Sequence, residues 1–394
     1  MTTLAAPVAP ADPSRFALWD LGFRPFFLLA SVFSVFSGLM WVAQYAGWLT
    51  HTYLPSSVWH AHEMLFGYTI AVMTGFLLTA VRNWTSRPTA TGAPLIALVA
   101  LWVGGRVLVL TPFEIAAAVV NAAFPVALAV AIGIPLVRAR NVRNYFFVGL
   151  LLLLAGLILV VHLSLREGSA LSPRLGLSLA LDVVLFVMAV MGGRVIPMFT
   201  NSGVPGASAT RHALVEKLAP GSVLLLFVAD LLQLHPPVVG IVALVSAAVH
   251  GVRLYLWQPW RTLTTPLVWI LHAAYAWIVI HLILRGLSAF DLIPASLAIH
   301  ALTIGAIGGL TIGMMTRTAR GHTGRLLQAD GYEFAAFAFV MLAAFVRVFG
   351  GMASPSLYVA SVQLTGIFWA AAFGLHAVRY WPVLTRARVD GRPG

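Results

Sequence analysis

Residues 58–81 read VWHAHEMLFGYTIAVMTGFLLTAV, and Arg82 is the first charge after Glu63. An apolar run of this length is a membrane-spanning helix, since about 20 mainly apolar residues cross the hydrocarbon core. Its first turns are anomalous. His60, His62 and Glu63 stand where hydrocarbon should begin, and an ionisable side chain in a bilayer needs a partner. His162, His250, His272, His281, His300 and His376 lie inside or at the ends of other apolar segments. The chain has 12 histidines against 12 acidic residues. A membrane protein that gives its few polar positions to imidazole points to metal or haem ligation, because neutral imidazole is the commonest protein ligand for such centres.

The 394 residues are 60% hydrophobic and 9% charged, whereas soluble domains carry roughly 25% charged residues. The expected fold class is therefore all-α, a polytopic integral membrane protein. Cysteine is absent, which excludes disulfides, thiolate-bound iron–sulfur clusters and Cys-type zinc sites. Any metal must use His, Met, Tyr or carboxylate. The net charge of +12 comes with no compact basic patch interleaved with aromatics, so no nucleic-acid partner is expected. Positive residues retained in cytoplasmic loops account for it. Met1 to Arg24 has no apolar core and reads as a short polar tail, not a cleavable signal peptide.

Counting apolar windows gives about twelve spans, beginning near Phe26, Val58, Ala93, Ile115, Tyr145, Leu175, Ala219, Pro236, Pro266, Ile293, Phe334 and Leu357. The weakest pair is the seventh and eighth, separated by His235, Pro236 and Pro237 and read as a hairpin. With twelve spans, loops on the side of the termini hold eighteen of the 24 Lys and Arg residues and the opposite loops five, with Arg194 inside the sixth span. Both termini are accordingly expected in the cytoplasm. The layout is a cytoplasmic tail over 1–25, one transmembrane domain over 26–380 and a second tail over 381–394.

On a regular helix at about 100° per residue, His60 shares a face with Glu63, Met64 and Gly67, while His62 points away towards Phe66, Thr69 and Met73. Glu63 could orient an imidazole by accepting its second N–H. The tenth span carries Gly305, Gly309 and Gly313 below His300, a strip that admits either another helix or a flat macrocycle. The topology puts His60, His62, His281 and His300 in the periplasmic half, and His272, Arg194, Arg317 and His322 towards the cytoplasm. This division suggests two centres. Arg194 and Arg317 would suit haem propionates, and Met314 and Met315 are soft donors for Cu(I).

The blocks WHAHEMLFG (59–67), GRVIPMFT (193–200), MTR (315–317) and GHTGR (321–325), with DLGFRPFF (20–27), resemble the NnrS family. That resemblance implies a bacterial inner-membrane protein of about twelve helices with haem and copper, linked to nitric oxide, nitrosative stress and denitrification. His60, His62, Arg194, His300, Arg317 and His322 match its recurrent positions. The resulting expectation is one or two haem b groups, with copper a further candidate. The periplasmic-side haem would be held by His60 or His62 with His281 or His300, near Glu63, Gly305 and Gly309. Nitric oxide and an electron donor would be the partners, through gas binding, electron transfer or slow oxidoreductase turnover. The rival readings are a proton-coupled transporter, with Arg194 at a helix broken by Gly192, Gly193 and Pro197, and a non-catalytic haem sensor or assembly protein.

Overall fold

The computed structural model describes residues 14–49, 53–350, 352 and 355–392. Most of the expected N-terminal tail, residues 1–13, and the last two residues of the C-terminal tail lie outside them. Twelve helices form the described chain: α1 (Phe23–Tyr45), α2 (Ser56–Thr85), α3 (Gly92–Leu108), α4 (Glu114–Arg138), α5 (Val142–Leu163), α6 (Pro173–Gly203), α7 (Ala213–Leu231), α8 (Pro236–Leu256), α9 (Pro266–Ala289), α10 (Ala295–His322), α11 (Gly331–Gly350) and α12 (Tyr358–Thr385). Ten are long and apolar enough to cross a membrane; α3 is shorter, and α7 carries Glu216, Lys217 and Asp230. The protein is an all-α, multi-pass membrane protein.

Local chemistry sets the helix ends. Pro173, Pro236 and Pro266 open α6, α8 and α9 at the first turn, where the missing N–H has no intrahelical partner to lose. Asp330 and Glu333 form a reciprocal capping box at the start of α11, which satisfies two otherwise orphaned donors. Gln233, with φ of 50°, turns the chain between α7 and α8. These two helices pack together as the expected hairpin.

Large apolar side chains are exposed in stripes, for example Val119, Val126, Val130 and Val137 on α4. A stripe of this kind faces lipid, which solvates hydrocarbon as well as a protein interior does. The buried side merges into one principal core spanning α1 to α12. The terminal segments meet on one face of the bundle. Ala17 N–H donates to Thr385 O at 2.7 Å, Ala387 N–H donates to Arg15 O at 3.0 Å, and the buried Arg24 donates to Leu384 O and Arg386 O. Ends on one face are what an even number of crossings requires. Gly22 lets this corner close, since a Cβ there would come within 2.5 Å of Leu78.

Candidate functional site

Three of the spanning helices carry a π-turn: α11 over Val346–Gly350, around Arg347, and two others that flank one cavity. Immediately after His62 the helix α2 widens into a π-turn over Glu63–Thr69, and immediately after His300 α10 does the same over Ala301–Gly308. Such turns accommodate an extra residue and recur at functional sites. Between them lies a cavity of about 400 Å³, lined by His60, Met64 and Tyr68 from α2, His300 from α10, Trp41 from α1 and Arg347 from α11. That volume falls within the roughly 300–1,000 Å³ of small-molecule and cofactor sites.

His60, His300 and Arg347 are each positioned by a neighbour. The His60 ring stacks on Trp41 with centroids 4.5 Å apart and planes 19° apart. Its Nδ1 is buried and has no partner among the described residues. His300 Nδ1–H donates to Ser296 O at 2.6 Å, which leaves Nε2 as the nitrogen with a free lone pair. Arg347 donates through Nη2 to Tyr358 Oη at 3.0 Å, while its buried Nη1 lacks a partner among the described residues. An incompletely paired guanidinium in apolar surroundings calls for an anion. Two imidazoles and one such cation on an apolar cavity form a donor set that fits a haem with a propionate at Arg347.

His62 points the other way, into a buried polar cluster between α2, α3, α4 and α5. Glu63 Oε1 lies 2.7 Å from His62 Nδ1 and accepts from Arg106 Nη1 at 2.6 Å. Arg106 also donates to Asn121, whose amide donates to Ala117 O at 2.8 Å. His62 Nε2 faces His162 Nε2 at 3.1 Å, and Tyr53 Oη lies 3.0 Å from His162 Nδ1. One tautomer set satisfies the chain: Tyr53 donates to His162, His162 Nε2–H donates to His62, and His62 Nδ1–H donates to Glu63. A regular helical wheel puts Glu63 on the face of His60. The structure turns its carboxylate to His62 and to Arg106 from α3.

The other sequence-derived candidates separate. His281 is buried, donates from Nδ1 to Ala298 O at 2.8 Å, and does not line the cavity. His272 meets the Thr200 hydroxyl at 2.8 Å, Arg317 lies 3.9 Å over the Phe199 ring, Arg194 donates to Asn144 at 2.7 Å, and the His322 ring lies 5.7 Å from Phe23. These four meet different neighbours among the described residues. Gly305 packs against Trp277, and Gly309 against Ala274 and Met341, so the expected macrocycle seat is a helix-packing face towards α9 and α11. Met315 is wholly buried, and Met314 lines a separate small cavity. Among the described residues no group of three or more His, Asp and Glu side chains is disposed to hold a metal ion.

The sequence reading missed Arg347, Arg106, Asn121, Tyr53 and Trp41, and left His162 undecided. The available signal was Arg106 at the end of an apolar helix, four residues after Trp102, whose indole N–H donates to Gly67 O at 3.0 Å. His250 is a satisfied packing residue, bonded to Tyr275 Oη and Ala219 O. The helix break that a transporter reading puts at Gly192 and Gly193 is absent. Helix α6 runs unbroken from Pro173 to Gly203, and the two glycines admit Tyr275 and Arg253.

No curated protein matches the chain. Over residues 17–388 the sequence matches the family model described as NnrS protein, and the chain belongs to the NnrS family.

Proposed function

We propose that this protein is a haem protein of the bacterial inner membrane that acts in the response to nitric oxide, with haem b held in the larger cavity. The observation that carries this reading is the convergence of His60, His300 and the incompletely paired Arg347 on one apolar cavity of about 400 Å³. Family membership supports the link with haem, copper and nitric oxide. The Lys and Arg asymmetry supports cytoplasmic termini.

When bound, the haem supplies a redox-active iron able to take a diatomic gas. The residues of this chain do the rest. His60 and His300 supply imidazole nitrogens, and Trp41 and Ser296 O fix the orientations of their rings. Arg347, held by its bond to Tyr358, would pair with a haem propionate and set both its charge and its position. The apolar lining excludes water, which strengthens each of these electrostatic contacts. Nitric oxide is the proposed small-molecule partner, with a separate electron donor. Copper finds its best-placed nitrogens in the facing Nε2 atoms of His62 and His162, which would have to part to admit an ion.

The test is a reduced-minus-oxidised visible spectrum, with haem and metal analysis, on purified wild type and on His60→Ala, His300→Ala and Arg347→Met. The expected result is sharp haem bands that disappear in either histidine variant, and a lowered haem-to-protein ratio in Arg347→Met. Wild-type protein without haem overturns the reading and favours the transporter. Bands that persist in both histidine variants overturn the ligand assignment.

A further inference from the structure

A second, smaller cavity of about 110 Å³ lies mainly between α2, α6 and α10, with Phe27 of α1 and Leu271 of α9 completing its lining. Met73, Met188, Met191 and Met314 line it, and it shares Thr69 and Ile307 with the larger cavity. Those two residues sit in the π-turns of α2 and α10 and form the common wall. Only two hydroxyls reach the lining. Thr69 Oγ1 donates to Met64 O at 2.9 Å, and Thr311 Oγ1 donates to Ile307 O at 2.6 Å while meeting Tyr68 Oη at 2.5 Å. Neither hydroxyl has a proton left for a guest.

A buried water typically makes about three hydrogen bonds, and an apolar cavity of ~150 Å³ stays dry yet takes benzene or xenon. A cavity of about 110 Å³ with both wall hydroxyls occupied suits a smaller apolar guest. We propose that this chamber binds a diatomic gas beside the larger cavity, with Thr69 and Ile307 as the partition between the two. That the guest is nitric oxide rests on the function proposed above. The affinity for a small apolar molecule does not.

Xenon is the probe, applied under pressure to crystals of the full-length protein. The expected result is a single xenon peak among the four methionines, lost in Val187→Phe with the thermal unfolding transition retained. Met188→Phe fills the same space from the next residue if Val187→Phe does not fold. No xenon in the wild-type chamber overturns the proposal, as does xenon that persists in a filled variant. A lipid chain or a copper ion occupying the chamber overturns it too. Xenon binding needs no cofactor, so protein that lacks haem but takes xenon defeats the proposed function and leaves the chamber standing.

Discussion

Replacing Arg106 by Met removes the only cation within bonding reach of Glu63 among the described residues. Glu63 is 1% exposed, and Arg106 donates to it at 2.6 Å while also donating to Asn121. Removing one member of a buried ion pair costs about 3–5 kcal/mol, because the other charge is left without compensation in a low dielectric. In the double variant Glu63→Gln/Arg106→Met that charge is gone. The residual cost is about 1–3 kcal/mol, the penalty for leaving the Asn121 oxygen without its donor. The double variant should therefore be more stable than the single one by about 2 kcal/mol. Reversible unfolding in mixed detergent micelles, followed by helical circular dichroism, measures both. A single variant costing under about 1 kcal/mol would place the pair in the range of exposed salt bridges and refute the reasoning. So would a double variant that is no more stable than the single one.

Three further substitutions probe neighbouring features. Gly67→Val puts a Cβ 2.5 Å from Arg106 Nη1 and 2.8 Å from Phe33, so it should cost about 1–3 kcal/mol by overpacking in the same unfolding assay; an unchanged midpoint would show that Arg106 is free to move. His162→Ala should lower copper content while leaving the haem spectrum intact, and retention of full copper by atomic absorption would remove His62 and His162 from consideration as its ligands. Asp330→Ala breaks the capping box of α11 and should cost about 1 kcal/mol, with Asp330→Asn retaining most of the stability.

Much of the fold was legible because bilayer crossing leaves a strong signature. The run 58–81 and nine of its expected counterparts answer the same demand for about 20 apolar residues, while the helices α3 and α7 were readable as elements without meeting it. The hairpin between α7 and α8 was readable despite its acidic residues. The cavity was legible only in part. His60 and His300 stood out as imidazoles in hydrocarbon, and the opposite directions of His60 and His62 followed from helical periodicity. Arg347 was read only as a loop charge, because its place in the cavity depends on α11 packing against α10 and α12, which no spacing along the chain encodes. His162 was indistinguishable from His250 and His376 for the same reason. The three are alike in sequence context, yet one faces His62, one is satisfied by Tyr275 and Ala219, and one meets Ser31.

The π-turns were hidden for a different reason. A π-turn is a local excess of one residue over the α-helical count, and neither Glu63–Thr69 nor Ala301–Gly308 contains a proline that would announce it. Their placement beside His60 and His300 makes them testable as the feature that aims both rings. Deleting Thr303 removes the extra residue from α10 and rotates His300 by about 100° relative to the segment Gly309–His322. That segment is anchored against α9 through Gly309 and Gly313, so the helix should still insert while the imidazole leaves the cavity. The expected outcome is a folded, membrane-inserted protein without the haem bands. Adding one alanine elsewhere within 301–308 should restore them, because it returns the count without returning the threonine. Bands that survive the deletion, or that fail to return with the alanine, would mean that His300 is not oriented by the π-turn and that the cavity tolerates a different ring position.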